Sequence, residues 1–310
     1  VPLLSPSPSH QLLAWAVPRL RRSRDLDTVE AERARIERWH EGLDPSLPTR
    51  VVPGFARRYE VSREDVGGFT AHVITPRGTR PTRTVLHLHG GGFVAGIDAF
   101  HVRWAARLAT ALGARVVLPD YPLAPEHTWA DSHDQLVATA GGWAARSPDG
   151  LVLSGDSAGG GLALAVALGL RERGGPQPTH LLLISPWADL TTSTPETHQV
   201  TLDDPWLFIG KLRAYAGWWA GSEADLGRPE VSPALADLTG LPRALMFCGT
   251  RDTLVPGCRL LARRAVEAGW DLTYVEEPGL LHVYPVLPLI PEARRAWRQT
   301  LAFLRTAGPR

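Results

Sequence analysis

Lysine is almost missing from this 310-residue chain: Lys211 is the only one, and arginine supplies the rest of the 33 basic side chains. Against 32 acidic residues they leave a formal net charge of +1. That is far from the basic surplus that phosphate neutralisation needs, so nucleic acid is not an expected partner. The arginine bias, like the 11 tryptophans, reads first as ancestry rather than function. Cysteine is scarce too. Cys248 and Cys258 cannot frame a fold of this size, and two free thiols packed in a core suit a reducing compartment, so a cytoplasmic location is expected. No apolar run approaches the roughly 20 residues that cross a bilayer; the longest is the small-residue stretch 159–170, and no membrane partner is expected. Export is not expected either, because the short apolar piece 12–17 precedes the basic run Arg19–Arg24 instead of following it. Neither a Cys/His cluster nor H-E-x-x-H occurs, so the expectation is no metal and no cofactor.

What is there is 44% hydrophobic and 21% charged, enough apolar material for one large core or two small ones. Residues 25–39, charged with a sparse apolar stripe, predict an exposed amphipathic helix, and 59–76 predict a hairpin. Runs of Val, Leu and Ile then predict strands at 84–90, 114–121, 151–157, 179–187, 241–250 and 271–277. Helical stretches at 98–113, 131–147, 158–174, 257–269 and 291–307 separate or follow them. Apolar strands alternating with helices imply a mostly parallel sheet buried on both faces, an α/β fold. More than 50 residues part the strands at 179–187 and 241–250, and they carry Trp206, Phe208, Trp218 and Trp219. This is too long and too aromatic for a plain crossover, and is expected to lie over the C-terminal edge of the sheet, where ligands bind in open α/β folds.

GDSAGG (155–160) follows one apolar strand and opens a helix, which is G-x-S-x-G in the context that gives it meaning. A sharp strand-to-helix turn lifts the serine hydroxyl above the sheet, making Ser157 the candidate nucleophile. Ala158, at the helix N-terminus, would aim its N–H at charge developing beside that oxygen. HGGGF (89–93) ends another strand, and its glycines expose backbone donors; Gly91 and Gly92 with Ala158 form the expected oxyanion hole. The spacing matches neither G-x-G-x-x-G nor a P-loop. His89 is expected to orient that loop, and His87 to pack in the core. A serine nucleophile needs a histidine base, and the histidine needs an acid, in the chain order Ser, Asp or Glu, His. Asp252 follows the strand 241–250, and His282 follows the strand 271–277 after the turn PGLL; no other histidine comes after Asp252. Asp203 and Asp204 are weaker candidates because no strand delivers them, Asp156 is assigned to hydrogen bonding within the turn, and Glu276 and Glu277 are read as ending a strand in solvent.

The chain resembles the hormone-sensitive-lipase-like branch of the α/β-hydrolases, the bacterial family IV esterases. The likeness runs over roughly residues 60–305 and rests on HGGGF (89–93), DYPLAPEHTWA (120–130), GDSAGG (155–160), SPWADLT (185–191), SPALADLTGLP (232–242), GTRDTLVP (249–256) and the histidine of GLLHVYP (279–285). It implies Ser157, Asp252 and His282 as a triad and Gly91, Gly92 and Ala158 as the oxyanion hole, the same residues reached above. Pro122 stands where the family has arginine, and Trp129 where proline is common. Both changes bear on substrate fit rather than on hydrolysis.

The expectation is therefore a single α/β-hydrolase domain over 1–310, with a helical cap built from about 1–50 and about 192–230. Its activity would be hydrolysis of short- to medium-chain esters, with Phe93, Trp187, Trp206, Trp218 and Trp219 as substrate-binding residues. A second reading keeps the same residues but makes the protein a lactone hydrolase, a deacetylase or a tailoring acyltransferase acting on a bulky alcohol. A ligand-binding homologue without catalysis is disfavoured, since all three triad positions are filled. The partner is a small-molecule ester or lactone, and relatives leave room for a homodimer through the last strand and helix.

Overall fold

A computed structural model describes residues 5–20 and 24–306. Part of the basic run Arg19–Arg24, the first residues of the expected cap and the end of the expected terminal helix lie outside the described residues. In chain order the elements are α1 (Pro8–Leu20), α2 (Val29–His40), α3 (Phe55–Arg58), β1 (Tyr59–Asp65), β2 (Thr70–Pro76), β3 (Thr84–Leu88), α4 (Ala99–Leu112) and β4 (Arg115–Asp120). They continue with α5 (His133–Arg146), β5 (Leu151–Asp156), α6 (Ala158–Glu172), β6 (His180–Ile184), α7 (Thr197–Val200) and α8 (Ile209–Ala220). The last are β7 (Ala244–Arg251), α9 (Val255–Glu267), β8 (Leu272–Leu281) and α10 (Pro291–Leu304). Among the described residues no helix is long and apolar enough to cross a membrane.

The strands form one eight-stranded sheet in the order β1-β2-β4-β3-β5-β6-β7-β8. β2 runs antiparallel to both its neighbours, and β4 through β8 are parallel to one another. Alternation within the apolar strands supplies both faces. Leu86, Leu88, Val117, Leu153 and Leu183 pack under α5, α6 and α9, while Val85, Val116, Val152, Leu182 and Phe247 pack under α4 and α10. With both faces covered, no polar alternation survives in these strands, which is why they read as continuous apolar runs.

From β3 the chain crosses to β4 on one side, whereas β5 lies on the other side of β3. The helices that follow β3 and β5 therefore cover opposite faces of the sheet, and the loops leaving the two adjacent strands part at their C-terminal ends. That reversal opens the crevice in which α/β sheets hold ligands. HGGGF leaves β3 and GDSAGG leaves β5, so topology alone brings the two motifs side by side.

Three sequence expectations need correction. PGLL is not a turn: β8 runs through it to Leu281, with a register shift opposite Gly249 and Arg251 and with Gly279 at φ 70. Glu276 and Glu277 do not end in solvent, because Arg259 and Arg295 bind them in bidentate pairs at 2.7–3.0 Å. The helix read as exposed over 25–39 starts at Val29, capped by Thr28 Oγ1, and one face is buried, with Ile36 1% exposed and Glu32 6%.

The turn at GDSAGG depends on helix α6 touching strand backbone. A Cβ on Gly159 would fall inside contact distance of the Leu88 and His89 carbonyls, whereas one on Gly217 in α8 meets open space. Gly159→Ala should therefore destabilise the protein by about 1–3 kcal/mol through overpacking, read as a lower urea midpoint. Gly217→Ala should be neutral or gain up to about 1 kcal/mol. Equal midpoints for wild type and Gly159→Ala would contradict the packing argument.

Candidate active site

Ser157 links β5 to α6 at φ 54 and ψ −125, a conformation that costs a non-glycine residue about 1–3 kcal/mol. Its neighbours enforce it. The Ser157 N–H donates to Ile184 O at 2.8 Å, and its carbonyl accepts the N–H groups of Gly160 and Trp187, each at 2.9 Å. Gly155 meets the Gly159 backbone where a side chain would stand, so the turn can close.

His282 Nε2 lies 2.9 Å from Ser157 Oγ, and His282 Nδ1 lies 2.9 Å from Asp252 Oδ2. A carboxylate only accepts, so Nδ1 carries the ring proton and Nε2 is left to accept the serine hydroxyl. Ser157, Asp252 and His282 are all buried. Burial works against charging His282, but the adjoining Asp252 carboxylate outweighs it and raises the pKa above the ordinary 6.5. Asp252 is fixed in turn: Leu254 N–H donates to Oδ1 at 3.0 Å and the Cys248 thiol lies 3.5 Å from Oδ2. The residues flanking His282 are also tied down, Val283 N–H by Ser185 Oγ at 3.0 Å and Leu281 N–H by His10 Nε2 at 3.1 Å.

Opposite them, Gly91 and Gly92 have φ of 120 and 64. A Cβ on Gly91 would stand 2.6 Å from Ala95 O, and one on Gly90 would meet the Asp156 carbonyl at 2.9 Å and Ser157 Cβ at 3.1 Å. Only glycine lets this loop approach the serine so closely. Asp156 anchors it by accepting Gly90 N–H at 3.2 Å, with His87 Nε2 at 3.2 Å and His101 Nε2 at 3.5 Å. Gly90 N–H also lies 3.2 Å from His101 Nε2, but His101 Nδ1 already accepts Asp98 N–H at 2.9 Å. We assign the Gly90 donor to Asp156, whose carboxylate can only accept. Burial favours a protonated Asp156, yet the neighbouring His101 and His87 hold its carboxyl far below the usual range. His89 Nδ1 donates to Gly90 O at 2.8 Å, the ring stacks on Tyr121 at 4.2 Å, and burial lowers its pKa to about 3. It stays neutral while it braces the loop.

A cavity of about 970 Å³ opens over this cluster. Ser157, His282, Gly91, Gly92, Trp187 and Trp206 line it, as do residues of α2 and α8. Of the five expected substrate contacts, Trp187 and Trp206 are on the wall; Phe93, Trp218 and Trp219 are not among the lining residues. Phe93 stacks on Trp219 at 4.4 Å, and both are buried in the core beneath. Their aromatic surface seals the insertion against the sheet. Phe208, in contrast, reaches the cavity.

Asp204, set aside above for want of a strand, is buried beside Asp252. It accepts Thr253 N–H at 2.7 Å and Thr253 Oγ1–H at 2.9 Å, besides Trp206 N–H at 2.8 Å and Leu207 N–H at 3.1 Å. Burial, then the charge of Asp252, pushes its pKa up. It fastens the insertion to the Asp252 loop and sets Trp206, whose ring meets His282 edge-on at 5.8 Å. The bonds to Trp206 and Leu207 have a local signal in D-x-W-L; the bond to Thr253, 49 positions away, has none.

The family model for the alpha/beta hydrolase fold matches residues 85–286. The chain is 36% identical over 250 residues to an acetyl-hydrolase of Streptomyces hygroscopicus, a match covering 78% of this chain and 81% of the other. It is 30% identical over 298 residues to carboxylesterase NlhH of Mycobacterium tuberculosis, covering 91% and 90%. A crystal structure of an esterase from the bacterial hormone-sensitive lipase family aligns at a TM-score of 0.80 and 29% identity, covering 98% of this chain and 99% of that one. Since the match extends from β3 past His282 and the sequence likeness covers most of both chains, this chain belongs to the α/β-hydrolase fold family, in its hormone-sensitive-lipase-like esterase branch.

Proposed function

We propose that the protein hydrolyses short- to medium-chain carboxylic esters through an acyl-enzyme on Ser157. The observation that carries this is the unbroken hydrogen-bond chain from Asp252 through His282 to Ser157, with a glycine loop facing the same hydroxyl. His282 Nε2 takes the Ser157 proton as Oγ forms a bond to the ester carbonyl carbon. The carbonyl electron pair moves onto oxygen, where the N–H groups of Gly91, Gly92 and Ala158 receive it; such donors are each worth about 3–4 kcal/mol. Collapse breaks the bond to the alkoxy oxygen, which leaves with the proton from His282. Water then attacks the acyl-enzyme, giving its proton to His282, and the acid departs as Ser157 regains its hydrogen.

The cap reading goes with this assignment: α2 and the 206–215 region cover the nucleophile and size its substrate. An acetyl-hydrolase relative and a similar structure soaked with p-nitrophenyl butyrate point to short acyl groups. A second reading, removal of an acetyl group from a bulky alcohol, is favoured by a cavity of about 970 Å³, far larger than a simple acetate needs. The buried free thiols of Cys248 and Cys258 are the support for a cytoplasmic setting, and the edge position of β8 is the support for a homodimer.

Ser157→Ala should reduce turnover of p-nitrophenyl butyrate by on the order of 10⁴- to 10⁶-fold and abolish labelling by a fluorophosphonate probe. Activity retained in that variant would refute the assignment. The base must be neutral to act, and Asp252 raises the pKa of His282, so kcat/KM should fall with decreasing pH through an apparent value above 6.5. A pH–rate profile whose acid limb lies below 6.5 would contradict that electrostatic reading.

A further inference from the structure

The glycine loop is gripped from the cap side at two places. At the first, Tyr215 of α8 lays its ring on Gly92: Tyr215 Cδ2 lies 3.0 Å from where a Gly92 Cβ would stand. The Tyr215 hydroxyl donates to Glu32 Oε1 on α2. Glu32 is buried and cannot swing, because Arg35 binds it through two bonds of 2.7 and 2.8 Å and the lone lysine, Lys211 of α8, lies 3.4 Å away. Hydrogen bonds from Arg35, opposed by burial, hold its pKa at about 2, so it stays an acceptor across the working pH range. At the second place His40, the last residue of α2, places Nε2 2.7 Å from Val94 O. Val94 belongs to the same loop, since its N–H returns to Gly91 O at 3.1 Å.

We propose that Tyr215 is a positioning residue for the ester hydrolysis: tethered by Glu32, its ring holds the Gly91–Gly92 backbone where its N–H groups meet the oxyanion. The inference rests on the reading of Ser157 as nucleophile and goes beyond it. Gly92 has a backbone that no side chain of its own can steady, and its freedom must be removed by something packed against it. Tyr215 supplies that surface, and the Glu32 tether fixes the ring only while α2 is seated. Donor alignment is thereby coupled to the docking of a helix some 60 positions upstream of the loop, and an unseated cap would leave a competent nucleophile facing a loose hole.

The test uses a pair of ketones of one shape. An aryl trifluoromethyl ketone accepts the Ser157 oxygen at its carbonyl carbon, the serine proton passes to His282, and the resulting hemiketal oxyanion needs the hole. The matching methyl ketone binds as an intact carbonyl. Ki for both, with kcat and KM for p-nitrophenyl acetate, is measured on wild type, Tyr215→Phe and Tyr215→Ala. Loss of alignment of this kind costs about 10- to 100-fold. Tyr215→Ala should therefore weaken the trifluoromethyl ketone about 10- to 100-fold and lower kcat in parallel, with methyl ketone binding changed less than about twofold. Tyr215→Phe, which keeps the ring and removes only the tether, should move the same readouts several-fold, and it decides the matter if the alanine variant fails to fold. Equal weakening of both ketones, or a rise in KM at unchanged kcat, would make Tyr215 a pocket wall and overturn the proposal. If wild type itself showed no preference for the trifluoromethyl ketone, the nucleophile reading would fall and this one with it.

Discussion

Ser157 can stay at φ 54 only while the backbone around it leaves no room to relax. Three separate packings supply that confinement: Gly159 against the end of β3, Gly160 against Pro186, and Gly161 against the Trp187 carbonyl. Each lets α6 lie closer to the sheet than a methyl group would allow. The helix therefore starts without a spare residue, with Ala158 its first residue directly after the serine. Everything else at the site is arranged around an oxygen whose position the main chain has already set.

Three carboxyl groups are buried around that oxygen. Asp156 and Asp252 are buried on either side of Ser157, with Asp204 close behind Asp252. Isolated carboxylates in such surroundings would protonate. Asp156 avoids this by its two histidine neighbours and a backbone donor, whereas the four hydrogen bonds to Asp204 offset only part of the penalty and its pKa stays raised. The histidines divide accordingly. His89, with no carboxylate in its bonding set, is neutral at any working pH, whereas His282, facing Asp252, is primed to gain a proton. One sheet edge thus holds two histidines of opposite character, one kept neutral by burial and one whose pKa a carboxylate raises.

Legibility followed contact order. Strands, helices and the two glycine motifs are local patterns, and β3, β5, α6 and the side-by-side placement of HGGGF and GDSAGG lay within reach of the sequence. Ser157, Asp252 and His282 were selected by strand ends and chain order, and their side chains meet at 2.9 Å. The aromatic insertion was harder. Tryptophan is as good a core residue as a pocket wall, and no periodicity distinguishes Trp206, which faces the cavity, from Trp219, which is sealed against Phe93. PGLL looked like a turn because Pro and Gly usually break strands; β8 absorbs them at a bulge. The links from Asp204 to Thr253 and from Glu32 to Tyr215 are side-chain bonds across 49 and 183 positions, and nothing local announces them.

The bond from Leu281 N–H to His10 joins residues 271 positions apart, one from the first helix and one from the last strand. Such contacts close late, because the loop between them must already be ordered. During synthesis the serine turn must wait for β6 and the Pro186–Trp187 backbone that confine it, and His282 follows only after β8. A half-made chain therefore holds Ser157 without the imidazole that its hydroxyl meets in the finished fold. The hydrogen-bond chain from Asp252 through His282 to Ser157 is thus a property of the assembled sheet and of no shorter piece of it.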